Sequence, residues 1–208
     1  MSILIDKVTK RALAALTAAY NTFVTTLAGI GGAALVGYVL GGAGTVLRTL
    51  QSILSERISV KDFGALGDDA ADDTAALIAA RTYALANLPC TIFFPKGIYR
   101  FTSLPNLAIK GLTLRGASHR ESVLKCTSAV IGHSALTFDA FEPGLTGNDA
   151  TAPFVMQCNL HNLTVQGNAN TAVIIMVQGL ARCVWKNVFV REARHADGIG
   201  FHLKGAQL

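Results

Sequence analysis

A short core with apolar residues two apart recurs through the second half of the chain. It reads Leu112-Thr-Leu114, Leu136-Thr-Phe138, Leu163-Thr-Val165 and Val188-Phe-Val190, at successive offsets of 24, 27 and 25 residues. Longer copies surround three of them: Leu107 to Gly116, Cys158 to Gly167 and Cys183 to Arg191. Alternation with period two predicts strands with one face buried. No helical periodicity separates the copies, so each circuit of chain must return to the same place. Parallel strands then stack about 4.8 Å apart along one axis, giving a β-solenoid in which like residues lie on like. The leucine-rich repeat has a similar period, but its L-x-x-L-x-L pattern with a fixed asparagine is absent. On this reading Leu112, Leu136, Leu163 and Val188 form one file. Asn162 and Asn187 make a short asparagine stack at a turn, and Cys158 and Cys183 are stacked free thiols. The Gly- and Asp-containing stretch from Asp139 to Pro153 is a loop extruded from one coil.

The first 57 residues follow a different pattern. Leu13, Leu16, Tyr20, Phe23 and Leu27 alternate spacings of three and four, which places them on one stripe of a helix. From Thr25 to Leu47 there is no charge, and seven residues are glycine. That density is poor for a helix, so a small-residue segment packed on protein is expected and not a membrane span. A second helix is predicted from Thr45 to Arg57, with Leu47, Leu50 and Leu54 in a stripe. Lys7, Lys10 and Arg11 before an alanine-rich run imitate an export signal, but no cleavage-site pattern follows promptly. Both helices offer more apolar surface than they can hide alone, so self-association or docking on a larger body is expected. Composition limits the rest. The chain is 51% apolar and 15% charged, which excludes disorder. Its net charge of +5 contains no run of five like charges, so no nucleic-acid arm is visible.

Between these regions, Ile58 to Ala65 reads as an extended segment ending at a glycine turn. The acidic run Asp68-Asp69-Ala-Ala-Asp72-Asp73 precedes a run of helix formers, Ala75 to Ala86. Asp72 and Asp73 are placed at the first helical turn, where carboxylates accept backbone N–H groups and oppose the macrodipole. The run lacks the ligand spacing of a calcium loop. Thr91 to Phe94, Pro95-Lys-Gly97 and Ile98 to Arg100 read as strand, turn and strand.

Ile58-Ser-Val-Lys-Asp-Phe-Gly-Ala65, Gly67-Asp68 and Asp72-Asp-Thr-Ala-Ala76 resemble the opening motif of bacteriophage tailspikes, which belong to the pectate-lyase-like, right-handed parallel β-helix superfamily. Ile92-Phe-Phe-Pro-Lys-Gly-Ile-Tyr99 is similar to that family's next motif. The segment from Val36 to the Leu47–Leu54 helix resembles the stretch that joins a virion anchor to the β-helix. Asp69, Ala71 and Asn87-Leu-Pro89 depart from the family pattern, at turns and caps. The resemblance implies a mainly β fold with two parts: residues 1–57 as a helical, Gly-rich virion-anchoring segment, and residues 58–208 as the start of the β-helix. Within the latter, 58–106 hold the opening motif, capping helix and first strands, and 107–208 the repeating coils. It further implies a homotrimer on a phage tail, assembled in the host cytoplasm. Such a trimer contacts other virion proteins through residues 1–57 and binds, and depolymerises, host surface polysaccharide. An uncapped solenoid end at Leu208 would expose an open edge, so a longer natural chain is expected.

No catalytic, metal or cofactor residue is assigned from the sequence. Glycoside hydrolysis needs two carboxylates about 5–10 Å apart, and the pairs Asp139 with Glu142 and Glu192 with Asp197 are the candidates weighed. Lys186 and Arg191 could serve a lyase as base, but nothing singles them out. His195 with Asp197 lacks a nucleophile, and His119, His133, His161 and His202 have no metal-ligand spacing. Trp185 is read as core, not as a sugar platform. The alternatives are a complete polysaccharide-degrading enzyme, hydrolase or lyase, acting through groove carboxylates, and a secreted adhesin or pectate-lyase-like protein.

Overall fold

The structure is a computed structural model that describes residues 2–29, 31–140, 155–196 and 198–204. The chain divides into two compact units, Met1–Glu56 and Arg57–Leu208.

In the first unit, α1 (Ser2–Ala28) is followed by α2 (Gly32–Leu35), β1 (Gly37–Tyr38), β2 (Arg48–Thr49) and α3 (Leu50–Leu54). The threonines that would weaken a helix interior are accommodated within α1. Thr17, Thr22, Thr25 and Thr26 each donate a hydroxyl to the carbonyl four residues back, at 2.8–2.9 Å. The predicted stripe lies on this helix and is exposed along its length, with Leu16 at 67% and Phe23 at 58%. The helix expected from Thr45 to Arg57 is only five residues long. Thr49 caps it by accepting the Ser52 N–H at 3.1 Å, and Arg48, one residue earlier, is extended and pairs with Tyr38. The Arg48 guanidinium then spans the short helix to reach Ser52 and the Glu56 carboxylate.

The second unit opens with β3 (Ile58–Ser59) and a 3-10 turn, Val60–Phe63, where an extended run was predicted. The turn forms because Ser59 and Asp62 cap each other's backbone reciprocally, and Gly64 closes it at φ +93°. The elements that follow are β4 (Asp68–Asp72), α4 (Thr74–Ala86), β5 (Cys90–Phe94), β6 (Gly97–Phe101), β7 (Leu112–Gly116), β8 (Ser122–Cys126), β9 (His133–Asp139), β10 (Val155–Met156), β11 (Asn159–Gln166), β12 (Thr171–Gln178), β13 (Leu180–Ala181), β14 (Trp185–Arg191) and β15 (Ile199–Lys204). Among the described residues every strand pairing in this unit is parallel. The acidic run is therefore strand before it is helix cap. Asp72 accepts the Thr74 N–H at 3.0 Å and so caps α4. Asp73 instead turns its carboxylate back to the N–H groups of Leu66 and Gly67, at 2.7 and 3.2 Å. That contact ties the loop before β4 to the start of the helix.

Three long parallel ladders and the short β10–β13 pair result, the arrangement of a β-helix. The first runs β3, β5, β7 and the front half of β11. The second runs β4, β6, β8 and the back half of β11. β14 pairs along both halves of β11, and β9, β12 and β15 make the third ladder. Like residues stack inward: Ile92, Leu114, Leu160 and Trp185 on the first ladder; Tyr99, Leu124, Val165 and Val190 on the second; Leu136, Ile175 and Phe201 on the third. Fully burying each aliphatic side chain is worth about 1.5–3 kcal/mol. Trp185 packs beside Phe138, with ring centroids 5.2 Å apart, and its indole N–H donates to the Cys158 carbonyl; it belongs to the core. Cys158 and Cys183 are not joined by a disulfide; their thiols donate to the Leu107 and Ala181 carbonyls. Burial pushes the Cys158 thiol up to about 12.

The predicted file of four is only partly realised. Leu163 lies opposite Val188, as the 25-residue offset requires. Leu112 lies opposite Cys90, and Leu136 is on the third ladder opposite Ile175. Leu136 is displaced because β9 is the third strand of the coil that β7 begins; for Leu112 the reason is a corner. In one coil the residues from Ala117 to Glu121 separate β7 from β8. In the next coil Asn162, at φ +54°, makes the bend alone inside β11. Asn187 repeats it at φ +53° and donates its amide to the Asn162 side-chain oxygen at 2.9 Å, the predicted asparagine stack. Gln157 and Arg182 form a second left-handed pair with the same spacing. Glycine is needed where coils meet closely. At Gly67, φ +64°, a Cβ would come within 2.6 Å of the buried Tyr99 ring.

Candidate functional site

Outward-facing residues also stack by register, and two polar columns stand out. The first carries Phe93, Arg115, His161 and Lys186, one per successive strand of the first ladder. Beside it run Thr91, Thr113 and Asn159, and at the corner lies the Asn162–Asn187 pair. Thr91, Thr113, Arg115, His161, Lys186 and the two asparagines of the corner line an open groove of about 460 Å³ that contains no carboxylate. Burial holds the His161 imidazole below its usual pKa, and the charges of Arg115 and Lys186 add to this. The groove thus offers two fixed cations, a neutral imidazole able to accept a proton, hydroxyls and amides.

The second column carries Asp72, Arg100, Lys125, Gln166 and Arg191. Here Lys125, Arg100 and Gln166 have partners supplied by the fold. Lys125 pairs with Asp69 at 2.7 Å. Arg100 donates to the Ala70 carbonyl at 3.0 Å, and Gln166 donates to Glu192 at 3.0 Å. The adjoining hollow, about 380 Å³, also holds the Lys96–Glu121 pair. Backbone N–H groups of Ala71 and Ala70 hold the Asp68 carboxyl below its usual range, and the Thr74 hydroxyl and N–H do the same for Asp72.

The carboxylate pairs weighed from the sequence are not both in view. Glu142 and Asp197 lie outside the described residues, and so does the expected loop except for its first two residues. Asp139 ends β9, where its backbone is held by the Asn106 side chain. Glu192 is committed to Gln166 and lies 3.7 Å from Arg194. His133 is structural: its Nδ1 donates to the Val130 carbonyl at 2.6 Å, which leaves Nε2 to accept from the Cys126 thiol at 3.1 Å. His119 stacks on Phe189, with centroids 4.3 Å apart. His202 faces outward on β15. Among the described residues no group of His, Cys, Asp and Glu could hold a metal ion. No described helix is long and apolar enough to cross a membrane. The sequence reading missed the grouping of Arg115, His161 and Lys186. The available signal was that His161 and Lys186 each follow an equivalent cysteine by three residues.

Several known proteins share features with this chain. Azotobacter vinelandii mannuronan C5-epimerase AlgE3 is 42% identical over 73 residues, covering 32% of this chain and 4% of that protein. AlgE2 of the same organism is 32% identical over 113 residues, covering 53% of this chain and 11% of that protein. The chain therefore spans only a small fraction of the curated relatives it matches. Among solved structures, the tailspike of E. coli bacteriophage HK620 in complex with pentasaccharide superposes with a TM-score of 0.63 at 15% identity. That match covers 88% of this chain and 39% of the tailspike. Tailspike protein 3 of bacteriophage CBA120 gives 0.61 at 18%, covering 92% and 32%. At these identities the likeness is one of fold, the parallel β-helix. The sequence profile of the rhamnogalacturonase A/epimerase, pectate lyase-like family matches residues 57–207, and the chain belongs to that family.

Proposed function

We propose that this chain is the N-terminal portion of a bacteriophage tailspike subunit. Residues 1–57 attach a homotrimer to other tail proteins of the virion. Residues 58–208 begin the β-helix that binds, and in the whole protein depolymerises, host surface polysaccharide. One observation carries the attachment reading: the apolar stripe Leu13, Leu16, Tyr20, Phe23 and Leu27 is exposed on a 27-residue helix placed ahead of a β-helix. A stripe at this spacing is the surface that identical helices bury against one another. The polysaccharide reading draws support from the HK620 tailspike, which shares the fold and was solved with a bound pentasaccharide. The test is incorporation. A chain lacking residues 1–50 is expected to fold and to be missing from purified particles, and normal incorporation would refute the anchor.

The likeness to mannuronan C5-epimerases favours a second reading, a polysaccharide-modifying enzyme that works through its own groove. Turnover of a polysaccharide by this chain alone, abolished by His161→Gln, would establish it.

A further inference from the structure

Covering the apolar stripe of α1 accounts for only one side of that helix. Every residue from Asp6 to Gly29 is exposed. At about 3.6 residues per turn, Ala14, Ala18, Thr22 and Thr25 lie on the side opposite Leu13, Leu16, Tyr20, Phe23 and Leu27. A helix face that meets water carries charged residues, and this one has none. From Ala12 to Leu47 the chain has no charged side chain at all. The charges of this unit stand before and after that segment, at Asp6, Lys7, Lys10 and Arg11 on one side and Arg48 and Glu56 on the other. The segment also satisfies its hydroxyls internally. Thr17, Thr22, Thr25, Thr26 and Thr45 each donate to a carbonyl of the same segment. Val39, Leu40, Val46 and Leu47, in the connection from β1 to β2, are exposed as well. An uncharged centre with charges only at its margins is the anatomy of a buried interface. A bilayer fits less well. An interfacial helix has lysines and arginines along its polar face, whereas this face has none after Arg11. No described helix is long and apolar enough to cross a membrane.

We infer that the uncharged segment is seated in a socket of another virion protein whose walls are themselves uncharged. Copies of this chain close the stripe, and Ala14, Ala18, Thr22 and Thr25 face the socket wall. The helical part, from Ala12 to Ala28, is about 25 Å long at about 1.5 Å per residue, which sets the depth of the socket. This inference rests on the reading that residues 1–57 attach a homotrimer to tail proteins, and adds the chemistry of the partner's surface.

The experiment compares two double variants of the full chain that differ in charge and hardly in shape. One carries Ala18→Asp with Thr25→Asp, the other Ala18→Asn with Thr25→Asn. Copies per purified particle are counted by quantitative immunoblot. The aspartate pair is expected to lower incorporation at least about tenfold, because an unpaired carboxylate is strongly disfavoured in an uncharged site. The asparagine pair should stay within about threefold, and Gln51→Lys, exposed and outside the segment, within about twofold. Light scattering should give the same trimer mass for all of them. Circular dichroism checks helix content, and Ala18→Asp against Ala18→Asn replaces the double variants if these lose it. Normal incorporation of the aspartate pair, or equal loss with the asparagine pair, would overturn the uncharged socket. So would loss of the trimer in the aspartate pair, a mass above the trimer for the unmodified chain, or flotation of that chain with phosphatidylcholine vesicles. If removal of residues 1–50 blocks incorporation while the aspartate pair is tolerated, the socket fails and the attachment reading stands. If removal of residues 1–50 has no effect, both fail.

Discussion

The two units of this chain solve the burial problem in opposite ways. In Arg57–Leu208, side chains separated by a full coil in sequence lie on one another, and Leu160, Leu163, Ile175 and Phe138 are fully buried. In Met1–Glu56 the apolar residues are as plentiful but stay outside, with Leu47 at 72% exposure and Tyr20 at 65%. A solenoid supplies its own partner surface with each circuit of chain. A single amphipathic helix has none, and its stability has to come from packing against something else. The contrast divides the molecule into a part whose apolar residues are buried by its own coils and a part whose apolar residues stay exposed.

Breaking the contrast outright has the largest expected effect. Removal of residues 1–50 should abolish incorporation into particles while leaving the β-sheet signal and the cooperative melt of the remainder intact. Single truncations sharpen it. Leu160→Ala empties a fully buried site and should cost about 2–5 kcal/mol in denaturant unfolding. Leu16→Ala, on the exposed stripe, should stay within about 0.5 kcal/mol for the isolated chain yet weaken self-association. Gly67→Ala probes the close approach between coils. Its left-handed backbone and the Tyr99 ring should make it about 1–3 kcal/mol destabilising, read as a lowered Tm. The smallest effect is one of pH. His161 has a folded pKa below its unfolded value, so between the two the unfolded chain holds more protons and stability rises with pH. The Tm should therefore fall as the pH drops below about 6.5 and level off above it. His161→Gln should flatten that slope. The contributions of Asp68 and Asp72, whose folded pKa values are depressed, are lost separately, as the pH falls through about 4.

How much of this was readable beforehand depends on whether the signal was local or positional. Period-two alternation was enough for stacked strands, only the last interval, Leu163 to Val188, was a true coil step, and the Pro95-Lys-Gly97 turn was enough for the β5–β6 junction. Corners were not readable. Asn162 is a residue type that tolerates φ > 0, but Gln157 and Arg182 adopt the same conformation without any such preference. Nothing in the sequence says that one coil turns with five residues where the next uses one. That difference moved Leu112 out of the expected file, and Leu136 left it because β9 is the third strand of the same coil as β7 and β8. It also hid the groove, because Arg115 reaches the column of His161 and Lys186 only through the true register. The shortness of α3 has a related cause: Thr49 offered a cap inside a run whose periodicity alone read as helix.

In the proposed trimer, copies of the same chain cover the exposed stripe of α1. Static light scattering on the intact protein measures this directly, over a dilution series at near-physiological salt. The expected mass is three times the 21.8 kDa of one chain, persisting on dilution and falling when Leu16 and Phe23 are both replaced by serine. A well-folded species of 21.8 kDa at every concentration would contradict it.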